Sequence, residues 1–166
     1  MATITLKGTI SNTNGELPLV DTQAPDFKLI AKDLQPKYLT DFLGKYVVLN
    51  IFPSVDTATC ASSVRQFNQK AAELQNTVIL CISRDLPFAQ TRFCGAEGIE
   101  NVHMLAEYQD NEFSEAYKIK MIDGPLAGLH SRCVVVIDPK GKVIYTEQVA
   151  EIVDEPNYEK ALASIN

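Results

Sequence analysis

Apolar residues in the middle of the chain follow two different periods. Residues 46–52 and 77–82 are short, nearly continuous apolar runs, which predict two buried strands. Between these strands, apolar residues recur at spacings of three and four, which predicts an amphipathic helix with one stripe against a sheet. They are Val64, Phe67, Ala71 and Leu74. A short helix over 86–93, ended by Gly95, and a short strand over 102–105 complete a βαβ pattern.

The last third of the chain predicts a hairpin followed by a helix. Residues 133–137 and 143–149 are apolar-rich and are joined by Asp138-Pro139-Lys140-Gly141, a sequence typical of a turn. Residues 158–165 predict a closing helix, and residues 113–117 a short helical piece before the hairpin. This part of the chain is therefore ββα.

The first 20 residues predict a small β-hairpin ahead of the main fold. Residues 3–6 alternate between apolar and polar, and Asn14-Gly15 is a dipeptide that favours two-residue hairpin turns. Residues 23–26 then break the pattern, and residues 39–42 predict a short helical turn that stops at Gly44.

The predicted elements form an α/β fold with a mixed central sheet flanked by helices. A βαβ unit followed by ββα is the thioredoxin-like arrangement, here with a hairpin added over residues 1–20. No internal repeat, low-complexity tract or linker divides the sequence. A hydrophobic content of 46% and a charged content of 22% suit a domain with a full core. We expect one domain over residues 1–166.

Composition narrows the classes of function. With 15 basic and 21 acidic residues the formal net charge is −6, which argues against nucleic acid as a partner. The longest apolar runs are far shorter than the roughly 20 residues that span a bilayer, and residues 1–8 do not resemble a signal peptide. We therefore expect no membrane partner and a cytoplasmic location, where the four cysteines are buried thiols or take part in redox chemistry.

Cys60 falls in the first turn of the predicted helix that follows the central strand. Unpaired backbone N–H groups and the positive end of the helix dipole favour thiolate over thiol there, and thiolate is the reactive form. Thr57, three positions earlier, is close enough for its hydroxyl to contact the sulfur or a bound substrate oxygen. Pro53 ends the strand and offers no competing N–H. Position alone, however, fits an inert buried cysteine equally well.

The other candidate residues carry weaker signals. Cys81 and Cys133 lie in apolar strands, so we expect both to be packed and unreactive. His103 and His130 are too scattered for a zinc site, and no cysteine pair has ligand spacing. The sequence also lacks a Cys-x-x-Cys pair and a glycine-rich nucleotide loop. We expect neither metal nor cofactor.

Several motifs are spread over nearly the whole chain. Pro53, Thr57 and Cys60 form a Pro-x-x-x-Thr-x-x-Cys pattern. The others are Ala24-Pro25-Asp26-Phe27, Arg92-Phe93-Cys94-Gly95 and Gly124-Pro125-Leu126-Ala127-Gly128-Leu129. Together they resemble the peroxiredoxins, and in particular the bacterial thiol peroxidases of the atypical two-cysteine type.

This resemblance implies a thioredoxin fold, a homodimer and a thiol-dependent peroxidase of antioxidant defence. It implies a preference for alkyl hydroperoxides over hydrogen peroxide, and reduction by thioredoxin. Cys60 would be the peroxidatic cysteine and Cys94 the resolving one that forms a disulfide with it. Arg132 would be the guanidinium of the active site, beside Thr57 and Pro53. A guanidinium suits the role because it stays protonated and presents a rigid fork of donors to the expelled oxygen.

Two other functions stay open. One is a sensor, in which the same disulfide changes the shape of the protein and a partner responds to it. The other is a cysteine hydrolase, which needs His103 or His130 as a base near Cys60.

Disulfide closure sets a geometric demand on the peroxidase. The Cα atoms of the two cysteines in a disulfide lie about 4.4–6.8 Å apart. If Cys60 and Cys94 lie farther apart on different helices, at least one helix must unwind locally in each cycle. We therefore expect the backbone over 57–64 or 86–95 to differ between the reduced and oxidised states.

Overall fold

The computed structural model describes residues 1–165, which form nine strands and four helices. The strands are β1 (Thr3–Leu6), β2 (Thr9–Asn12), β3 (Lys28–Ile30), β4 (Pro36–Tyr38), β5 (Tyr46–Ile51), β6 (Thr77–Ser83), β7 (His103–Ala106), β8 (Cys133–Ile137) and β9 (Val143–Gln148). The helices are α1 (Ala58–Ala71), α2 (Pro87–Glu97), α3 (Glu112–Tyr117) and α4 (Tyr158–Ala163), and a short 3-10 turn spans Leu39–Asp41.

Seven of the strands form one mixed sheet in the order β4-β3-β7-β6-β5-β8-β9. The central strands β5, β6 and β7 are parallel, and α1 and α2 connect them. Strand β8 pairs antiparallel with β5, and β9 antiparallel with β8, before α4. The predicted βαβ and ββα units and the thioredoxin-like fold class are confirmed.

Alternation along the central strands divides the core between the two faces of the sheet. In β5, Val47, Leu49 and Ile51 join one apolar cluster, which includes Phe113 and Tyr117 of α3. Val48 and Phe52 join the other cluster, which receives side chains from α1, α2 and α4. Successive strand residues point to opposite faces, so both sides of the sheet are covered.

A buried carboxylate, Glu107, lies directly after β7 at the carboxyl end of the sheet and links several elements by hydrogen bonds. Arg84 Nη1 lies 2.9 Å and His130 Nε2 2.8 Å from its Oε1, and the Ser114 amide donates to its Oε2 at 2.9 Å. Burial raises the pKa of Glu107, but hydrogen bonds and charge from His130, with hydrogen bonds from Ser114, bring it below its ordinary value. One carboxylate thus joins β6, α3 and the segment before β8.

The N-terminal hairpin is present, but its turn is not the predicted one. Strands β1 and β2 pair antiparallel and turn at Lys7-Gly8, whose φ angles of 49° and 83° are both left-handed. Asn14 lies beyond β2, where its backbone amide donates to the Lys120 carbonyl and its Oδ1 accepts from the Lys120 amide. The prediction that used Asn14-Gly15 as the turn was wrong, because this dipeptide attaches the hairpin to the main fold.

Two further predictions need correction. Helix α2 does not end at Gly95 but continues to Glu97 and ends at Gly98, whose φ of 67° is left-handed. The edge strand β4 and its neighbour β3 were not predicted at all. Each has three residues, which is too short for a period to be visible in the sequence.

None of the helices within residues 1–165 combines the length and the apolar character that crossing a membrane requires.

We predict that Glu107→Gln lowers the free energy of unfolding by about 3 kcal/mol at pH 7. The glutamine amide cannot accept from all three donors around the carboxylate as Glu107 does, and the substitution removes one partner of its charge pair with Arg84. The pKa of Glu107 is lower in the folded state than in the unfolded state. Its contribution to the free energy of unfolding is therefore complete above pH ~4.5 and is lost as the pH falls through the folded pKa. Urea unfolding at several pH values should therefore show the deficit shrinking in acid. Glu73→Gln, at an exposed site, is the control. Equal effects of the two changes would contradict the prediction.

Candidate active site

Cys60 lies in the first turn of α1, at the carboxyl edge of the sheet. Strand β5 ends at Ile51, a short loop follows, and Thr57 is the N-cap residue of the helix. Cys60 has no exposed surface and packs within the apolar cluster of that face. The sulfur is therefore held inside the protein, close to the unpaired N–H groups of a helix start.

Arg132, directly before β8, is the side chain that meets this sulfur. Its Nη2 donates to Cys60 Sγ at 3.2 Å, and its Nε donates to the Ile152 carbonyl at 2.7 Å. Arg132 is only 2% exposed, and none of the ion pairs within residues 1–165 involves it. A buried cation needs an anion nearby, and the bonded group that can supply one is Cys60. The contact therefore places the Cys60 sulfur where an anion would compensate the guanidinium.

One donor of Arg132 has no partner. Its Nη1 is buried and makes no hydrogen bond within the described part of the chain. Buried donors are almost always bonded, so an unbonded one beside the Cys60 sulfur is suited to a small oxygen-containing ligand.

The N-terminal hairpin supports Arg132 indirectly. The Ile152 carbonyl bonds Arg132, and the Ile152 amide donates to the Thr5 carbonyl in β1 at 2.8 Å. The carboxylate of Glu151 accepts from both amides of the hairpin turn, residues 7–8, at 3.1 and 3.0 Å. Two successive hydrogen bonds, both made by Ile152, thus connect the hairpin to the Arg132 guanidinium.

The loop before α1 is held by one carboxylate, Asp85, which follows β6. Its Oδ1 accepts from Ser54 Oγ at 2.7 Å, and its Oδ2 accepts from the Val55 amide at 2.8 Å and from Ser83 Oγ at 2.6 Å. Carboxylates that accept several hydrogen bonds fix a loop firmly. Asp85 therefore joins the loop of the reactive cysteine to the strand that leads into α2.

Pro53 and Thr57 flank this loop. Pro53 is buried directly beyond β5, where its lack of an N–H leaves no donor to satisfy. The Thr57 hydroxyl donates to the Ser54 carbonyl at 3.1 Å, so its hydrogen is committed away from the sulfur. Its oxygen lone pairs can still accept a bond from a substrate.

Cys94 lies in α2 and is half-buried against the same apolar cluster that contains Cys60. Burial raises the pKa of the Cys94 thiol, and the Lys32 ammonium partly offsets that rise. Both thiols are free and stand on different helices.

The remaining cysteines are fully buried. Burial raises the pKa of Cys81 and of Cys133 to about 12 each. Cys133 belongs to the apolar cluster on the face opposite to Cys60, although Arg132 is its neighbour in the chain. Alternation along the strand therefore separates Cys133 from the site, as expected.

Neither histidine takes the place of a base beside Cys60. His130 Nε2 is bonded to Glu107, and the ring packs against Phe113. His103 packs against Phe42. The side chain bonded to the sulfur is a guanidinium, which cannot accept a proton as a hydrolase base must.

Sequence reasoning missed Asp85 and a buried polar chain behind the cysteine. Asn50 Nδ2 donates to Ser63 Oγ at 3.2 Å, and Ser63 Oγ donates to the Cys60 carbonyl at 2.8 Å. A polar residue inside the apolar run of β5 was the available signal for Asn50. Asp85 had a similar signal, because it follows β6 at the same edge of the sheet as Pro53.

These features define a class: a cysteine-dependent peroxidase on a thioredoxin-like fold. The redoxin family matches residues 19–162 of the chain. Thiol peroxidases of Mycobacterium bovis and Mycobacterium tuberculosis are 55% identical to it over 165 residues, 99% of this chain and of theirs. The chain therefore belongs to the redoxin family, and within it to the thiol peroxidases. The prediction of a thiol-dependent peroxidase is confirmed.

Solved structures agree with this assignment. A peroxiredoxin-like protein from Aquifex aeolicus is 34% identical and has a TM-score of 0.92, covering 97% of this chain and 94% of that one. A thiol peroxidase from Chromobacterium violaceum has a TM-score of 0.88 over 95% of this chain and 92% of that one; at 19% identity it shows the fold alone.

Arg132→Lys should slow oxidation of Cys60 by hydroperoxide about 100-fold or more, the usual effect of removing one aimed donor from an oxyanion site. A lysine cannot contact the sulfur, the Ile152 carbonyl and a substrate together. Rapid-mixing kinetics of Cys60 oxidation would measure this rate. Arg92→Lys is the matched control, because Arg92 is exposed and pairs with Asp56 at 3.5 Å. A normal rate in Arg132→Lys would contradict the role given to the guanidinium.

Thiol labelling should separate the buried cysteines from Cys94. In the folded, reduced protein at pH 7.5, iodoacetamide should modify Cys94 well before Cys81 and Cys133, because pKa values of about 12 keep these two thiols protonated inside the core. In urea all three should react at similar rates. Mass spectrometry of peptides after timed labelling measures the modification at each cysteine. Early labelling of Cys133 would contradict the prediction that it is buried and protected in the folded protein.

Proposed function

We propose that the protein reduces hydroperoxides, both alkyl hydroperoxides and hydrogen peroxide with a preference for the alkyl ones, through Cys60, and that Cys94 resolves the product. The observation that carries this proposal is the buried contact of Arg132 Nη2 with Cys60 Sγ at 3.2 Å. In this scheme the enzyme is recycled by thioredoxin and acts in antioxidant defence.

In the first step, the Cys60 thiolate attacks one oxygen of the hydroperoxide. A sulfur–oxygen bond forms while the oxygen–oxygen bond breaks, so sulfur is oxidised to sulfenic acid, and the leaving alkoxide or hydroxide takes a proton from solvent to become an alcohol or water. Negative charge moves onto the leaving oxygen, and the free Nη1 of Arg132 is the donor that supports it. The lone pairs of Thr57 can accept the hydroperoxide O–H, and Pro53 walls off the site.

In the second step, the Cys94 sulfur attacks the sulfenic sulfur of Cys60. A sulfur–sulfur bond forms and the hydroxyl leaves with a proton as water. Both cysteines stand within helices, and we propose that closure proceeds with local unwinding of α1, of α2 or of both. The Ser63 hydroxyl bonded to the Cys60 carbonyl at 2.8 Å must be released if the first turn of α1 opens.

A dithiol protein must then supply two electrons to reduce the disulfide, and we propose thioredoxin for this role. We also propose a cytoplasmic homodimer in which residues 1–166 act as one domain. Large apolar side chains remain exposed on the single chain. They include Ile10, Leu19, Leu86, Phe88, Ile122 and Val153.

Turnover assays of cysteine variants test the scheme. Cys60→Ser should abolish peroxide consumption, because a serine hydroxyl is essentially un-ionised at neutral pH. Cys94→Ser should consume one equivalent and then stall, because the sulfenic acid lacks its partner. Cys81→Ala is the control and should keep turning over. Peroxide loss would be followed with thioredoxin, its reductase and a nicotinamide reductant.

Two outcomes would contradict particular parts of the scheme. Normal cycling of Cys94→Ser would show that another thiol resolves the sulfenic acid. A native protein that consumes a single equivalent, even with the thioredoxin system present, would instead be a sensor. Mass spectrometry after one equivalent of peroxide should find Cys60 linked to Cys94.

A further inference from the structure

Gly95, the residue after the cysteine to which we assign resolution, has no structural reason to be a glycine. Six of the eight glycines in the chain have a positive φ, a conformation that other residues avoid. A seventh, Gly15, lies so close to Lys118 that a Cβ would meet that side chain at 2.8 Å. Gly95 has neither feature, because it lies inside α2, without a positive φ, and a Cβ there would meet nothing within 4 Å.

The two halves of α2 are held to the protein unequally. The buried residues of the helix, Pro87 and Gln90, both lie in its first half. Gln90 Nε2 donates to Ser83 Oγ at 3.1 Å and to the Leu105 carbonyl at 2.9 Å, which fixes that half to the ends of β6 and β7. The second half, residues 91–97, has no fully buried residue.

A cavity adjoins the weaker half. It has a volume of about 700 Å³ and is lined in part by Thr91, Cys94, Gly95 and Gly98. Residues that line a cavity of this size make no packing contacts on that side, and segments with few buried contacts are the first to open. One side of the helix around Cys94 therefore lacks packing against the protein.

A glycine inside a helix weakens it relative to alanine by a free energy equivalent to about a 2- to 5-fold change in an equilibrium constant. At Gly95 this weakening falls next to Cys94, which in the proposed cycle leaves its helical position when the disulfide closes. Since packing and backbone conformation do not require the glycine, its effect on helix stability is what distinguishes it from alanine.

We propose that Gly95 sets the ease with which residues 91–97 unwind, and thereby the rate at which Cys94 closes the disulfide on Cys60. This inference rests on the proposed role of Cys94 as the resolving thiol. Gly95 is a positioning residue, because it acts through the helix and touches neither peroxide nor Cys60. Its influence is confined to the second step of the cycle.

Gly95→Ala tests this inference in single-turnover experiments. After mixing with one equivalent of peroxide, samples are quenched in acid and alkylated, and mass spectrometry separates the sulfenic acid from the disulfide. We expect disulfide closure to slow about 2- to 5-fold in Gly95→Ala, while oxidation of Cys60 keeps its normal rate. Hydrogen exchange of the amides over 91–97 should slow by a similar factor.

Two matched variants show the direction of the effect. Ala96→Gly, at an exposed position in the same half of the helix, should accelerate closure by a comparable factor. Gly98→Ala places a Cβ at a left-handed position that ends the helix, so it should weaken α2 and should not slow closure.

The outcomes separate this inference from the proposed function. If Gly95→Ala closes the disulfide as fast as the native protein, the role of Gly95 is wrong, while a Cys60–Cys94 disulfide would still support the function. If the native protein forms no such disulfide, both are overturned. If Gly95→Ala slows both steps equally, the change acts on the whole fold and the inference is also wrong.

Discussion

The structure depends on one buried contact, in which the Arg132 guanidinium donates to the sulfur of Cys60. A cation inside an apolar cluster is unfavourable unless an anion lies beside it, and a thiolate there has the same need. The Cys60 sulfur is therefore the group positioned to compensate the guanidinium. The pair also uses only part of the guanidinium, because Nη1 stays without a partner among the described residues. In the proposed reaction, one side chain thus prepares the nucleophile and supports the oxygen that it expels.

Much of the surrounding fold holds that guanidinium in place. Strand alternation directs Arg132 to the face that carries α1, while Cys133 points into the opposite cluster. The Ile152 carbonyl then fixes the Nε end, and Ile152 is itself held by Thr5 in the N-terminal hairpin. A segment at the beginning of the chain is therefore part of the support of a site built around Cys60. Its position in the sequence gave no indication of this role.

The sequence predicted the elements whose signals are local. The central strands, the helix with Cys60 in its first turn and the opposite orientations of Arg132 and Cys133 follow from periodicity and chain position. Strands β3 and β4 are too short to show a period, and the hairpin turn was misplaced because Asn14-Gly15 has strong turn chemistry but a different tertiary role. The contact between residues 60 and 132 depends on tertiary structure, and the family motif was needed to anticipate it. The Ile152 carbonyl is a backbone group, which leaves no signal in a sequence.

In the proposed reaction, the contacts that hold Cys60 in place also oppose the step that follows its oxidation. As a thiolate, the sulfur is held by Arg132, and the first turn of α1 is held by Ser63. Oxidation changes this balance, because a protonated sulfenic acid is neutral and no longer compensates the guanidinium as a thiolate does. The first chemical step would then weaken the interaction that kept the first turn closed. Release of Cys60 would thus follow its own oxidation, whereas the second half of α2 is loosely held before any chemistry begins. The two helices would then unwind for different reasons, one because its sulfur has reacted and the other because its packing is weak.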